Sequence, residues 1–295
     1  MKKLTFYLVD VFAIEKYTGN QLAVFTDATD LSTDQMQAIA KEINYSETTF
    51  LTSIDSQDGG YNVRIFTPNK ELPFAGHPTL GTAYIIQKTI INQLVTTVNL
   101  NLQVGQIPVT WYQDSDGAEL PWMRQNPPTF EGNLDATALA SVLSLEANEI
   151  DHRFPIQEVS TGIPFIIVPL KKHESLKRIV VNKDKYFEFV KKTCSKEILV
   201  FCPETYFPEN DLSVRVFAEY IGVPEDPATG SANGCLAGYL VKHSYFGKKS
   251  VSVKVEQGYE IGRPSLLLLK AQQSNDTIDV QVGGKVIMIA KGEFV

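Results

Sequence analysis

Cysteine is scarce in this chain of 295 residues, and no two cysteines form a CxxC pair. The three cysteines, at positions 194, 202 and 235, are odd in number, which argues against a disulfide framework and favours reduced thiols in a cytoplasmic protein. Long apolar runs are also absent. None approaches the roughly 18 residues that a bilayer span requires. No membrane association is expected, and the strand-like opening, interrupted at Asp10, is not expected to be a signal peptide.

Excess positive charge is missing as well. The net charge is −7, the sequence pI is about 5.2, and the basic residues are scattered, so no nucleic-acid partner is expected. The 43% hydrophobic and 21% charged content is typical of a globular protein, and the length suits two domains of ordinary size.

Several motifs that announce a reaction are not in the chain. It contains no GxxxxGK[ST] phosphate loop, no GxGxxG fingerprint, no GxSxG elbow and no HExxH helix. Its histidines, cysteines and acidic residues show no metal-ligand spacing. We therefore expect neither a cofactor nor a metal.

The most distinctive stretch that is present runs from Val223 to Leu240. Two prolines bracket Glu225 and Asp226, and small residues then lead into an apolar helix, for which Thr229 or Ser231 could be the N-cap. A helix that begins after such a turn presents unpaired backbone N–H groups and can bind an anion. A plain helix start with a flexible lead-in explains the same residues.

A second copy of this pattern lies in the first half of the chain. Asn62–Phe66 reads NVRIF and Ser213–Phe217 reads SVRVF, and about a dozen residues later each half enters an apolar helix through a glycine-bearing turn. Thr-Gly before a strand also occurs in both halves. These shared features predict an internal duplication.

The duplication predicts two similar domains, residues 1–124 and 125–295, with the boundary at the polar passage 125–133 and the terminal strands able to cross back to the first domain. Two helix N-termini would then meet at a cleft between the domains, where small ligands commonly bind. The sequence predicts a helix capped by Ser32 or Thr33, with Gln35 as a capping-box partner for Ser32, and further helices over 80–88, 135–145 and 183–193. Helical spacing of Cys235, Leu236, Tyr239 and Leu240 predicts one more. Residues 250–295 read as a β-meander.

Few side chains are candidates for acid/base chemistry. Glu47 opens a Thr-Thr-Phe-Leu strand, where a carboxylate is out of keeping with β propensity, and its pKa would rise if it were buried. A solvated strand edge is the alternative. His77 lies in a Gly-His-Pro turn, as a catalytic or a structural histidine. Asp226 could equally start its turn. The other three histidines, 152, 173 and 243, stand in polar segments and are expected to be exposed, and Cys235 is expected in the core.

The motifs Asn44–Phe50 (NYSETTF), Glu71–Gly81 (ELPFAGHPTLG) and Glu225–Ala232 (EDPATGSA), together with Val9–Phe12 and Arg64–Pro68, resemble the PhzF-like family of phenazine-biosynthesis proteins. The resemblance extends over nearly the whole chain in order. It implies a diaminopimelate-epimerase-like α+β fold with two pseudo-symmetric domains, each a β-barrel wrapped around a central helix.

The resemblance also implies a cofactor-independent isomerase that moves a proton on a small cyclic or amino-substituted carboxylate. Glu47 occupies the position of the family's acid/base. His77 and Asp226 occupy positions that orient the substrate and share its protons. The substrate-binding positions correspond to the following residues: Gly76, Gly230, Ser231 and Asn20.

Two other functions are compatible with these residues. One is a racemase or epimerase of the same fold, which would use two cysteines at the helix entrances, where this chain has Ala75 and the Asp226-Pro227 turn. The other is a protein that binds a small carboxylate without turnover. The expected partners are a small-molecule carboxylate and, from the resemblance, a second copy of the chain in a homodimer.

Overall fold

The chain forms two compact units, one made of residues 1–124 with 283–295 and the other of residues 125–282. A computed structural model describes residues 3–113, 117 and 119–295. The elements of the first unit, in chain order, are β1 (Leu4–Val11), β2 (Asn20–Phe25), α1 (Thr33–Ile43), β3 (Glu47–Leu51), β4 (Tyr61–Phe66), β5 (Glu71–Leu72), α2 (Gly76–Ile85), β6 (Thr97–Leu102), β7 (Gly105–Gln113) and β8 (Glu119–Arg124).

The second unit follows in the chain, and the last strand then belongs to the first unit. These elements are β9 (Thr129–Asn133), α3 (Ala136–Val142), β10 (Gln157–Ser160), β11 (Pro164–Pro169), α4 (His173–Lys177), α5 (Lys183–Val190), β12 (Glu197–Cys202), β13 (Leu212–Ala218), β14 (Val223–Asp226), α6 (Gly230–Lys242), β15 (Ser250–Gln257), β16 (Ser265–Ser274), β17 (Thr277–Gly283) and β18 (Val286–Phe294).

The two units repeat one pattern of strand pairing. In the first, β1–β2 is antiparallel, β2–β3 parallel, β3–β4 antiparallel, β4–β6 parallel and β6–β7 antiparallel. In the second, the pairs β10–β11, β11–β12, β12–β13, β13–β15 and β15–β16 follow the same alternation. In both units the chain between the two strands of each parallel pair contains at least one helix. The duplication predicted from the sequence is thus confirmed in the topology of each unit.

One helix in each unit is buried on all sides. In α2 nine of the ten residues are buried, and in α6 only Lys242 of thirteen is not. Both helices are apolar or small on every face, which is the pattern of a helix enclosed by other elements. Strands β1, β2, β3, β6, β7, β8 and β18 contact α2, while β10, β11, β15 and β16 contact α6. Each unit is therefore a set of strands around a central helix, as expected of the fold class.

Close packing between central helix and strands depends on small residues. A Cβ at Gly81 in α2 would lie 2.6 Å from Leu22 Cδ2 and 2.9 Å from Val11 Cγ2, nearer than real Cβ contacts allow. Glycine therefore lets the helix approach the sheet.

The outer helices cover the other faces of the strands. The capping box predicted for Ser32 and Gln35 is present, and α1 ends at Asn44 with φ 55°. Residues of α1 pack against an aromatic cluster that contains Phe25, Phe50 and Phe66. In the second unit α3, α4 and α5 contribute to a separate apolar core.

Several predicted helix boundaries were wrong. The helix predicted over 80–88 begins at Gly76 and continues beyond α2 as a π-helix, Ile86–Ile91. The helix predicted after Thr229 or Ser231 begins at Gly230, directly after Thr229, so the first of these two N-cap candidates is confirmed. In both, backbone bonds start the helix inside the small-residue turn, from Thr79 N–H to the Ala75 carbonyl and from Asn233 N–H to the Thr229 carbonyl. The small residues before Leu80 have no apolar periodicity that could reveal the earlier start of α2. The predicted helices 135–145 and 183–193 are shorter, ending at Val142 and Val190.

Candidate functional site

Glu47 is the first residue of β3, and alternation along the strand aims it at the central helix. Thr49, two residues on, faces the same way and its hydroxyl lies 2.8 Å from the hydroxyl of Thr82 in α2. Phe50, on the other face, belongs to the aromatic cluster under α1. The Glu47 side chain is 16% exposed. It is thus a mostly buried carboxyl beside α2 rather than a solvated strand edge.

His77 is the second residue of α2 and its side chain is 6% exposed. Its Nε2 lies 3.5 Å from Glu47 Oε2. Burial lowers the pKa of His77 to about 3, although a hydrogen bond to the backbone of Gln21 opposes the shift. The imidazole is therefore neutral near pH 7.

The contacts of the ring define where its proton lies. The hydrogen bond to the backbone of Gln21 raises the pKa of His77. A bond raises the pKa when the ring is the donor, so the ring donates to the Gln21 backbone. Within the described residues Nε2 makes no hydrogen bond, so the donor is Nδ1 and Nε2 carries a lone pair. That lone pair faces the Glu47 carboxyl across a gap slightly too long for a hydrogen bond. A protonated Glu47 can donate to Nε2, whereas an ionised Glu47 receives no proton from it.

The other first-unit candidates lie at the ends of elements. Asn20 begins β2, is 1% exposed and pairs with Val11 of β1. Gly76 begins α2 after Ala75, which occupies the N-cap position and makes no side-chain cap. The first amides of a helix have no acceptor within the helix. These amides are the groups that could bind a substrate carboxylate.

The second unit holds the remaining candidates. Asp226 ends β14 and is half-buried, Gly230 begins α6, and Ser231 is the second residue of that helix with 7% exposure. The hydroxyl of Thr229 donates to Asp226 Oδ2. Thr229 does occupy the N-cap position, but because its hydroxyl bonds to Asp226 it does not cap the helix. The structure thus brings Glu47 and His77 together in one unit, and Asp226, Gly230 and Ser231 in the other.

In each unit an arginine–glutamate ion pair holds the turn that leads into the central helix. Arg64 in β4 makes two bonds of 2.7 Å to Glu71, and Arg215 in β13 makes bonds of 2.9 and 2.7 Å to Glu225. In both units the glycine that starts the central helix follows the glutamate by five residues. Bidentate pairs of this kind hold the approach to each helix in a defined position.

The remaining histidines and the cysteines take no part in these arrangements. The expectation of three exposed histidines was wrong for two: His173 is 8% exposed, with its ring against Tyr206, and His243 is half-buried, 2.8 Å from Gln157 Oε1. Polar neighbours in sequence hid the fact that His173 packs against an aromatic ring of a later loop. Cys235 is buried as expected, and burial raises its pKa to about 12.

Among the described residues no group of three or more His, Cys, Asp or Glu side chains has a metal-binding arrangement. No described helix is both long and apolar enough to cross a membrane.

Comparison with known proteins identifies the family. The sequence profile of the PhzC-PhzF family, described as phenazine biosynthesis-like protein, matches residues 9–292. The chain belongs to this family. It is 34% identical over 292 residues to the trans-2,3-dihydro-3-hydroxyanthranilate isomerase of Pseudomonas aeruginosa, covering 97% of this chain and 98% of the relative.

Two further likenesses agree with this membership. An uncharacterised isomerase of Clostridium acetobutylicum is 32% identical over 304 residues, with 100% of this chain and 99% of the relative covered. The crystal structure of the Bacillus anthracis phenazine biosynthesis protein of the PhzF family superposes with a TM-score of 0.92 at 27% identity, and both chains are covered in full. The protein is an isomerase of the PhzF family.

Proposed function

We propose that this isomerase moves a proton between two carbons of a small cyclic, amino-substituted carboxylate and that Glu47 is its general acid/base. The observation that carries the proposal is that Glu47 Oε2 lies 3.5 Å from His77 Nε2 and that both side chains are largely buried. The Pseudomonas relative named for a dihydro-hydroxyanthranilate supplies the substrate class.

The proposed step needs no oxidant and no cofactor. Glu47 takes a proton from a substrate carbon, and the electron pair of that C–H bond enters the adjacent π system. The double bond shifts, and the protonated Glu47 returns the proton to a different carbon. Proton transfer by one positioned side chain contributes a factor of about 10²–10⁴ in rate.

His77 supports Glu47 because the ring nitrogen that faces the carboxyl, Nε2, acts as a hydrogen-bond acceptor. A neutral ring with a lone pair on Nε2 accepts a hydrogen bond from protonated Glu47 and offers none to the carboxylate. This arrangement gives the protonated carboxyl an acceptor between the two transfers. The other proposed substrate-binding groups are the Gly76 amide and Asn20 in the first unit and the Gly230 amide, Ser231 and Asp226 in the second.

The proposal is tested with Glu47→Gln. In deuterated water, with trans-2,3-dihydro-3-hydroxyanthranilate as probe, exchange at the substrate carbon should fall by about 10²–10⁴. Binding of the carboxylate should persist, since the amide keeps the shape of the side chain. Glu42→Gln on the exposed part of α1 is the matched control and should exchange as the wild type does. Equal exchange by Glu47→Gln and wild type would contradict the proposal.

The racemase with two cysteines has no support from the geometry. Cys235 is the only cysteine in α6, it is fully buried, and its pKa is raised to about 12. Such a thiol is a poor base near neutral pH.

A further inference from the structure

Gln257 is a buried polar residue at the end of β15, with 1% of its surface exposed. Its amide makes four hydrogen bonds. The Nε2 group donates to the Asp226 carbonyl (2.8 Å) and to Thr229 Oγ1 (3.1 Å). The Oε1 atom accepts from Thr229 N–H (3.2 Å) and from Asn233 Nδ2 (2.9 Å). The amide is saturated, and all of its partners belong to the turn that carries Asp226 or to the first turn of α6.

The direction of these bonds determines what Asp226 receives. A threonine hydroxyl has a single proton. Because Thr229 Oγ1 accepts from Gln257, its own proton is left to donate, and it goes to Asp226 Oδ2. Gln257 therefore acts on Asp226 in two ways. It holds the aspartate's backbone carbonyl, and it aims the threonine hydroxyl so that the carboxylate is an acceptor.

The same position in the first unit identifies Gln257 as a departure from the common pattern. Asn62 and Ser213 match in the repeated VR[IV]F segments, and they pair with Asn101 and Glu256 respectively. The next residue along each partner strand is therefore equivalent: Leu102 in the first unit and Gln257 in the second.

Two further positions are also apolar in the first unit and polar in the second. Ile65 pairs with Leu72 as Val216 pairs with Asp226, so Leu72 corresponds to Asp226. The residue before the helix-starting glycine is Ala75 in one unit and Thr229 in the other.

The first unit thus has three apolar residues where the second has three polar residues bonded to one another. The first unit forms its barrel without any of them, so the fold does not require this polar set. A buried polar group that the fold does not require has to be satisfied by hydrogen bonds, and this set is.

The end of β15 also lies directly against the turn. Gly258 has φ 80°, and a Cβ there would lie 2.6 Å from the Pro227 carbonyl oxygen and 2.4 Å from that of Arg263. Glycine after Gln257 therefore permits a contact that no other residue could make. The strand end and the turn are built to touch.

We infer that Gln257 is a positioning residue for the isomerase reaction, which acts by holding Asp226 through Thr229. This inference rests on the proposed function, in which Asp226 orients the substrate. Gln257 itself need not touch the substrate. Its removal should release the orientation of Asp226 while leaving the barrel and α6 in place.

The first test replaces Gln257 by two side chains that separate the effect of its donor group from that of its acceptor group. Gln257→Leu installs the residue of the first unit, and Gln257→Glu keeps both acceptor contacts but loses both donor contacts. Each should lower kcat by about 10–100-fold, since misplacement of a reacting group by about 1 Å costs as much as 10²-fold. If only the leucine variant fails to fold, the glutamate variant still carries the test.

A double-mutant cycle distinguishes positioning from general stability. In the Asp226→Asn background, either Gln257 substitution should lower kcat by less than about twofold, because the residue through which it acts is already impaired. Gln157→Leu is the matched control. Gln157 is also buried, bonds to the Glu131 carbonyl and to His243 at the other end of α6, and should lose stability without loss of kcat. Additive effects in the cycle would overturn the inference.

A crystal structure of Gln257→Glu supplies a readout that does not depend on turnover. The Thr229 hydroxyl should leave Asp226 Oδ2, and residues 226–229 should shift while the rest of the unit superposes. An unchanged Asp226–Thr229 bond would overturn the inference even if the wild type isomerises the probe. A wild type that fails to exchange the probe, with the turn displaced as expected in the variant, would contradict the proposed function and leave the positioning contact established.

Discussion

The two central helices begin in the same way but present different chemistry. In each unit an arginine from the VR[IV]F strand forms an ion pair with a glutamate, and the central helix begins at a glycine five residues after that glutamate. The second residue of the helix is His77 in one unit and Ser231 in the other. The first unit pairs its histidine with Glu47, and the second binds its aspartate through Thr229 and Gln257. A duplicated scaffold thus holds two turns alike, and the side chains around each turn have diverged.

The largest expected effect is the loss of stability on replacing Arg215, which pairs with Glu225 in the turn before α6. Arg215 and Glu225 are each under 10% exposed, and Arg215 also donates to the carbonyls of Leu176, Lys177 and Ile179. Arg215→Met leaves Glu225 buried without its partner and should lower the free energy of unfolding by about 3–5 kcal/mol.

The matched change in the first unit is Arg64→Met. Arg64 and Glu71 are 28% and 21% exposed, so water can replace part of the pair and the loss should be about 1 kcal/mol. Urea unfolding of both variants measures the difference. Equal losses would show that burial does not distinguish the two pairs.

The second prediction uses the histidine that only the first unit carries. Burial depresses the pKa of His77 to about 3, from 6.5 in the unfolded chain, so between these values the unfolded state binds the extra proton. The stability associated with neutral His77 is complete above pH 6.5 and is lost as the pH falls toward 3, at about 1.4 kcal/mol per unit of pKa difference.

The variant His77→Asn should lack this part of the pH dependence. Its stability relative to wild type should therefore improve steadily as the pH is lowered through that window. Ser231→Ala, at the equivalent position of the second unit, should follow the wild-type curve. Thermal unfolding from pH 7 to pH 3.5 makes the comparison, and a parallel course for His77→Asn and wild type would contradict it.

The third prediction moves the polar residue to the wrong unit. Leu102→Gln places an amide where the first unit has Leu72 and Ala75 in place of the partners of Gln257. An unpaired buried amide should cost about 1–3 kcal/mol of stability. Leu102→Met, which keeps the site apolar, should cost less than about 1.5 kcal/mol. If both variants were equally stable, the first unit would tolerate polarity at this position.

The smallest expected effect concerns an outer helix. Ser32 caps α1 through Gln35 N–H, whereas α2 and α6 begin without a side-chain cap. Ser32→Ala should cost about 1 kcal/mol. Lys41→Ala, exposed in the last turn of the same helix, should change stability by less than about 0.5 kcal/mol. Urea unfolding of the two variants compares them, and a cost no greater for Ser32→Ala would contradict the role of the cap.

Local patterns in the sequence predict much of the fold. The repeated VR[IV]F segments and glycine-bearing turns predicted the duplication, and the capping box at Ser32 predicted the start of α1. These signals depend on neighbours in the chain, so they can be read without tertiary contacts. The N-cap candidate Thr229 likewise agrees with the start of α6 at Gly230. The start of α2 at Gly76 could not be read in this way, because small residues have no apolar periodicity.

The sequence also predicts part of the candidate site. Glu47 stands out because a carboxylate opens a strand of residues with high β propensity, and His77 and Asp226 stand out by the family motifs. Gln257 carries no such signal along the chain. It becomes visible only when the strand registers match it with Leu102 of the other unit.

The amino-acid sequence by itself thus determined the duplication, the two glycine-bearing helix entrances and the family, since each depends on order and spacing along the chain. Only the tertiary structure decided which side chains meet. It places Glu47 beside His77, buries that imidazole so that it stays neutral, and sets the Gln257 amide against a turn some thirty residues earlier. Burial and contacts between distant residues, which set protonation and hydrogen-bond direction, exist only once the strands have paired around each helix.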